Sequence, residues 1–251
     1  MKRLSCHIDE IKKRISSRRG ILLLADFDGT LAPIVSDPAD AALPADVKRA
    51  LASLQKDGNV RIAVVTGRAL PDIVKKAPIK DAIFAANHGL EIFHKGRFIL
   101  NLGKKFKKPL ARIADTLSGV EDIPGAIVER KGLSTAVHYR KVRKSLHGEV
   151  KRLVGHICRG RLRKNGLKLL SGKMILEIRP ANFWNKGKAS LWIWKKFEPS
   201  FFPIFVGDDT TDEDAFRALR KKGLTIRIGK SRSSRAEYYA KDVWEVIRGI
   251  K

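Results

Sequence analysis

Two stretches of the chain put carboxylates where an apolar run ends. Ile21-Leu22-Leu23-Leu24-Ala25 leads into Asp26-Phe27-Asp28-Gly29-Thr30, and Val206-Gly207 leads into Asp208-Asp209-Thr210-Thr211-Asp212-Glu213-Asp214. A short apolar run bounded by a turn signal reads as a strand buried on both faces. In open α/β sheets ligands bind beyond the carboxyl ends of the strands. Asp26 and Asp28 at such a tip suit a divalent cation, and one of them is also available as a nucleophile. The second stretch holds five acids within seven residues, in a chain with 52 Lys+Arg against 26 Asp+Glu. Acids in a first helical turn stabilise the helix dipole. That accounts for Asp212 to Asp214 but leaves Asp208 and Asp209 at the strand tip. A cation held between two neighbouring strand tips accounts for both. A third tip, Thr66-Gly67-Arg68, follows another apolar run; its hydroxyl either donates to a phosphate oxygen or caps the next helix.

The elements that must carry these residues follow a βαβαβ rhythm. Strands are predicted over 60–65 and 82–86, and a helix over 45–56 carries Val47, Ala50, Leu51 and Leu54 on one face. Asp57-Gly58-Asn59 is its stop signal. Pro71 suits the first turn of a helix ending near Lys76. A hairpin is expected through Lys95-Gly96, and residues 1–20 are read as a short basic helix with Ile8, Ile11 and Ile15 at helical spacing. After Gly103 the pattern changes to two hairpins with intervening helices, the second hairpin turning at Ser171-Gly172. From 180 the chain returns to helices at 187–197 and 211–219 and strands at 204–206 and 224–228, and its last helix includes 243–247. The fold class expected is α/β: a Rossmann-like core with a parallel sheet and helices on both faces, formed by 1–103 and 180–251, plus an inserted α+β module at 104–179.

Composition narrows the function classes. With 251 residues and 43% hydrophobic content the chain can bury a large core. Its apolar runs are far shorter than the roughly 18 residues that span a bilayer, so no membrane span is expected. Only Cys6 and Cys158 are present, which points to a reducing, cytoplasmic setting rather than a disulfide framework. The net charge of +26 fits anion binding, and residues 104–173 alone carry 19 basic and 5 acidic side chains. No zinc-finger spacing or aromatic RNA-binding signature accompanies them. Solvated basic faces and nonspecific anion or nucleic-acid binding are the two readings of that charge.

Taken in order, Asp26-Phe27-Asp28-Gly29-Thr30-Leu31, Thr66-Gly67-Arg68, a lysine in Asn185-Lys186-Gly187-Lys188, and Gly207-Asp208-Asp209 resemble the four motifs of haloacid-dehalogenase-like phosphatases. More narrowly, Asn87-His88-Gly89-Leu90-Glu91, Val137-His138-Tyr139-Arg140, Gly172-Lys173 with Glu177-Ile178-Arg179-Pro180, and Trp184-Asn185-Lys186-Gly187 resemble segments of trehalose-6-phosphate phosphatases. The resemblance runs from about residue 22 to 246. It implies Mg2+ held by Asp26, the Asp28 backbone carbonyl and Asp208, with Asp209 and Asp212 acting behind them or through metal-bound water. It implies Asp26 as nucleophile, Asp28 as general acid and then base, and Thr66 with Lys186 holding phosphoryl oxygens. Lys188 is the alternative site lysine. Gly67, Arg68 and His88 are implied near the substrate, and Arg140, Lys173 and Glu177 in the inserted cap are implied to face sugar hydroxyls. Trp184 and Trp192 are read as packing residues.

The activity so implied is metal-dependent hydrolysis of trehalose 6-phosphate through an aspartyl-phosphate intermediate, the last step of trehalose biosynthesis. A trehalose-6-phosphate synthase would be the functional partner, since no synthase segment accompanies these motifs. Two alternatives stand beside it. One is a phosphatase of the same fold for another sugar phosphate, such as sucrose phosphate or glucosylglycerol phosphate. The other is a nucleic-acid-binding protein on such a scaffold, which the presence of every nucleophile and metal acid disfavours.

Overall fold

A computed structural model describes residues 1–56, 58–181 and 184–250. Asp57 of the predicted helix stop, and residues 182 and 183 of the predicted return at 180–185, lie outside the described residues. The chain divides into two compact units, Met1–Asn101 with Trp184–Lys251, and Leu102–Phe183.

The first unit begins with β1 (Lys2–Arg3), α1 (Ile8–Ser16), β2 (Ile21–Ala25), α2 (Ala45–Gln55), β3 (Val60–Val65), α3 (Leu70–Lys76), β4 (Ile83–Ala86), β5 (Glu91–His94) and β6 (Arg97–Asn101). The second unit contains α4 (Lys104–Leu117), β7 (Ile127–Arg130), β8 (Thr135–His138), α5 (His147–Cys158), α6 (Arg161–Lys164), β9 (Leu167–Gly172) and β10 (Ile175–Pro180). The first unit is then completed by α7 (Lys186–Phe197), β11 (Phe202–Gly207), α8 (Glu213–Leu219), β12 (Leu224–Ile228), β13 (Tyr238–Ala240) and α9 (Val243–Ile250).

Nine strands of the first unit form one sheet in the order β1-β13-β12-β11-β2-β3-β4-β5-β6. It is parallel from β1 to β4, and β5 and β6 add an antiparallel edge through the Lys95-Gly96 turn, so the sheet is mixed rather than purely parallel. Alternation along buried strands divides the core into two layers. Leu23, Ala25, Ile62, Val64, Ile204 and Val206 pack in one layer with Val47 and Leu51 of α2 and Val246 of α9. Leu22, Leu24, Ala63, Val65 and Phe205 pack in the other with Ile193 of α7 and Phe216 of α8. Both faces of β2 are therefore covered, which is why its five residues are all apolar and all buried. From β2 the chain steps to β3 and β4 on one side and returns as β11 on the other. The tips of β2 and β11 thus flank the point where strand order reverses, the usual ligand crevice of such sheets.

The N-terminal expectation needs correction at its start. Lys2 and Arg3 form an edge strand parallel to β13, and the helix begins only at Ile8. Ile11 is buried and Ile15 packs on the core, as the spacing suggests.

The second unit is a four-stranded antiparallel sheet, β7-β8-β10-β9. Leu176, Ile178 and Pro180 are buried on one of its faces, while Ile175, Glu177 and Arg179 alternate onto the other. Its second hairpin turns at Lys173-Met174, not at Ser171-Gly172: Gly172 still pairs with Ile175, and Met174 takes φ +62° in the turn.

Candidate active site

Three parallel strands deliver polar residues to one edge of the first unit's sheet. Asp26 follows β2, and its N–H donates to the Val206 carbonyl at 2.9 Å, stitching the β2 tip to β11. Gly29 has φ +76°, and a Cβ there would collide with the Asp208 carboxylate, so glycine is required both by the turn and by the approach of the second acidic segment. At Gly207 the close approach alone requires glycine, since the Asp212 carboxyl group occupies the space a Cβ would need.

The acids come together. Asp26, Asp208 and Asp212 each present a carboxylate oxygen, and the three lie within 4.8 Å of one another. Lys186, at the start of α7 and 3% exposed, bridges Asp26 Oδ1 at 3.0 Å and Asp212 Oδ1 at 2.7 Å. Asp212 Oδ2 accepts from the N–H groups of Asp208 and Asp209, both at 3.0 Å. Asp212 is thereby the scaffold of the acidic segment, with both oxygens engaged. Asp209 caps the following turn, its Oδ1 accepting from the Thr210 N–H. Asp208 accepts from the Thr30 hydroxyl at 2.9 Å.

Burial raises the pKa of Asp26 to about 7; Lys186 opposes that rise and the Asp212 charge adds to it. Burial likewise raises Asp208, against the Thr30 hydrogen bond. Burial presses Lys186 toward neutrality, but Asp26 and Asp212 outweigh it and its pKa is raised. Three carboxylates thus crowd one ammonium. An all-oxygen, net negative donor set of this kind fits a hard divalent cation. Asp26 and Asp208, whose oxygens are not all committed to the scaffold, are the residues that would hold it.

The raised Asp26 pKa has a stability consequence. Its folded value lies above the unfolded value of about 3.9, so the folded state holds the extra proton in between and cation-free protein loses stability as pH rises through that window to about 7. An Asn at position 26 has no such proton. In EDTA, the melting temperature of Asp26→Asn is expected to gain on wild type as pH rises from about 5 to about 8, and saturating Mg2+ is expected to narrow the gap. A gap that closes as pH rises in EDTA would contradict the crowding.

The remaining predicted residues are placed as follows. Thr66 is buried, and its hydroxyl accepts from the Arg68 N–H at 3.2 Å. Gly67 packs directly under the His88 ring, with His88 itself at φ +58°. Arg68 forks onto Asp28: Nε to Oδ2 and Nη2 to Oδ1, each 2.7 Å. Lys188 is exposed at the α7 N-terminus, whereas Lys186 lies within ion-pair distance of Asp26. Trp184 donates to the Gly89 carbonyl at 2.7 Å.

In the second unit, Glu177 faces away from Leu176 and Ile178 and stands in register with Ala136 of β8. The Tyr139 backbone N–H donates to the Met174 carbonyl, which sets the Arg140 end of β8 beside the hairpin turn holding Lys173. The row containing Glu177 continues through Ala136 to Glu129 on β7. Glu129 accepts from His138 at 2.8 Å and pairs with Lys131 at 3.0 Å, which overcome burial to hold its pKa below the ordinary value. Sequence reading passed over Glu129, and only strand pairing places it two strands from Glu177.

A family model described as trehalose-phosphatase matches residues 24–243. Among curated proteins, the chain is 34% identical over 235 residues to an uncharacterized glycosyl hydrolase of Mycobacterium tuberculosis, covering 87% of this chain and 17% of that protein. It is 33% identical over 214 residues to the trehalose-phosphate phosphatase of Mycobacterium marinum, covering 81% of this chain and 52% of the relative. The chain thus spans about half the length, or less, of these relatives. Among solved structures, a trehalose-6-phosphate phosphatase related protein superposes with a TM-score of 0.72 at 30% identity, covering 90% of this chain and 94% of that one.

Proposed function

Because the chain belongs to the trehalose-phosphatase family, we propose that it hydrolyses trehalose 6-phosphate to trehalose and phosphate. The observation that carries this reading is Asp26: a buried carboxylate at a strand tip, paired with Lys186 and flanked by Asp208. A phosphate monoester dianion repels an anionic nucleophile, so charge must be neutralised before attack. Asp26, Asp208 and the Asp28 carbonyl would hold Mg2+, which would supply that neutralisation.

Asp26 attacks phosphorus while Asp28 delivers a proton to the departing sugar oxygen. Asp28 then takes a proton from the water that hydrolyses the phosphorylated Asp26. Lys186 balances the charge that develops on the phosphoryl oxygens, and the Thr66 hydroxyl, already fixed by the Arg68 N–H, donates to one of them. We assign recognition of the sugar to the second unit, as the cap of the family. Glu177, in a row with Ala136 and Glu129, supports the assignment: two carboxylates separated by a small side chain suit a polyhydroxylated ring.

The test is phosphate release with Mg2+ and with EDTA across trehalose 6-phosphate, sucrose 6-phosphate, glucose 6-phosphate, glucosylglycerol phosphate and p-nitrophenyl phosphate. Metal-dependent preference for trehalose 6-phosphate is expected. Glu177→Ala should lower kcat/KM for that sugar by ~10²-fold, the cost of leaving a hydroxyl partner unmade, and should change p-nitrophenyl phosphate turnover far less. Equal losses on both would remove Glu177 from sugar recognition. Preference for another ester would keep the chemistry and reassign the substrate.

A further inference from the structure

The second motif's arginine is built into the site more tightly than substrate binding requires. Of the five N–H groups of a guanidinium, four are spent within the protein. Nε and Nη2 hold the two oxygens of Asp28, Nη1 donates to Asp72 at 2.7 Å, and Nη2 also donates to the Pro38 carbonyl at 2.9 Å. The plane sits 5.4 Å over the ring of Phe27, which is fully buried, and the side chain is only 12% exposed. Lys76, paired with Asp72 at 3.8 Å, fastens the same loop through the Ala39 and Ala41 carbonyls. Arg68 is therefore held from three directions by residues of β2's exit, the loop at Pro38 and the first turns of α3.

Asp28, by contrast, is 43% exposed and would otherwise rotate freely at the strand tip. Each carboxylate oxygen has about two acceptor sites, so the fork fixes the group while leaving lone pairs open on the solvent side. We infer that Arg68 is a positioning residue for the acid/base carboxylate rather than a substrate ligand, and that the Asp72 pair and the Pro38 carbonyl hold it in place. This rests on the phosphatase reading above. In the first step the Asp26–phosphorus bond forms, the phosphorus–sugar oxygen bond breaks, and the proton passes from Asp28 to the sugar oxygen. In the second, water oxygen bonds phosphorus, the Asp26–phosphorus bond breaks, and the water proton passes to Asp28. A displaced Asp28 harms the first step most when the leaving group is a poor one.

The experiment compares Arg68→Gln and Arg68→Lys with wild type, in saturating Mg2+, on trehalose 6-phosphate and on p-nitrophenyl phosphate, whose leaving group departs without a proton. For Arg68→Gln the expected result on the sugar ester is a fall in kcat of ~30- to 100-fold, the lower part of the general-acid range, with KM changed by less than about threefold. The kcat/KM loss on p-nitrophenyl phosphate should be at least about tenfold smaller. Arg68→Lys keeps the charge and the Asp72 pair without the fork, and should show the same leaving-group contrast even where Arg68→Gln folds poorly. In an Asp28→Asn background, Arg68→Gln should cost under about threefold more, because the two residues act as a unit. Equal losses on the two esters, a rise in KM with kcat retained, or additive losses in the double variant would each overturn the inference while leaving the phosphatase reading intact. A folded wild type inert on both esters would overturn both.

Discussion

Asp26→Asn is expected to abolish phosphate release, with kcat on trehalose 6-phosphate falling by at least ~10⁴-fold, the scale on which removing a nucleophile acts. The substitution changes one oxygen to an amide nitrogen and leaves the backbone N–H bond to Val206 untouched. The fold should therefore survive. It should also be at least as stable as wild type near neutral pH without metal, because the buried carboxylate it replaces is one of three clustered together, two of which share a single ammonium. Replacing one member of a crowded buried cluster with a neutral isostere removes repulsion as well as attraction. The measurements are phosphate release in excess Mg2+ and a thermal melt in EDTA. Loss of activity with an unchanged or raised melting temperature assigns Asp26 to chemistry. Activity above about a hundredth of wild type would remove it as the nucleophile, and loss of folding would make it a structural anchor of the β2 tip.

What could be seen in the sequence was what is local. The run from Ile21 to Ala25 is apolar throughout because both faces of a central strand are covered, and that condition writes itself into five consecutive residues. The acids follow directly, so Asp26 and Asp28 were legible without the fold. Arg68 was not. Its position beside Thr66 and Gly67 suggested a substrate contact, while its partner Asp28 lies forty positions away and meets it only once β2 and β3 pair side by side. Lys2 and Arg3 carry no strand pattern, since an edge strand of two charged residues is created by its neighbour β13 rather than by its own side chains. The hairpin turn slid from Ser171-Gly172 to Lys173-Met174 because Met174 adopts a conformation that turn statistics reserve for glycine and asparagine. Among the acids after β11, type and spacing could not separate roles that hydrogen bonding does: Asp209 caps, Asp212 braces, and Asp208 keeps an oxygen toward Asp26.

Lys186→Met should damage stability and turnover together. Lys186 is buried, and its ammonium is the cation shared by Asp26 and Asp212. Methionine keeps the length of the stem, so packing against α7's surroundings changes little. What is lost is charge. Asp26 and Asp212 are then buried carboxylates with Asp208 beside them, and breaking a buried pair by removing one partner costs about 3–5 kcal/mol. Asp212 also holds the N–H groups of Asp208 and Asp209 through its other oxygen, so the acidic segment loosens with it.

The pH dependence has a definite sign. Without the ammonium Asp26 holds its proton still more tightly in the folded state, so the variant's deficit should be greatest well above about pH 7 and should shrink as pH falls toward about 7. A divalent cation substitutes for the missing charge, and Mg2+ at a hundredfold over its Kd returns at most about 2.7 kcal/mol. Turnover should nevertheless stay ~10²- to 10³-fold low in saturating Mg2+, because the donor aimed at the phosphoryl oxygens is gone. Urea melts of wild type and variant at two pH values, each with EDTA and with Mg2+, separate these effects. A deficit under about 1 kcal/mol that does not vary with pH would place Lys186 outside the charge balance of the site. Turnover restored by Mg2+ alone would limit its role to neutralising Asp26 and Asp212.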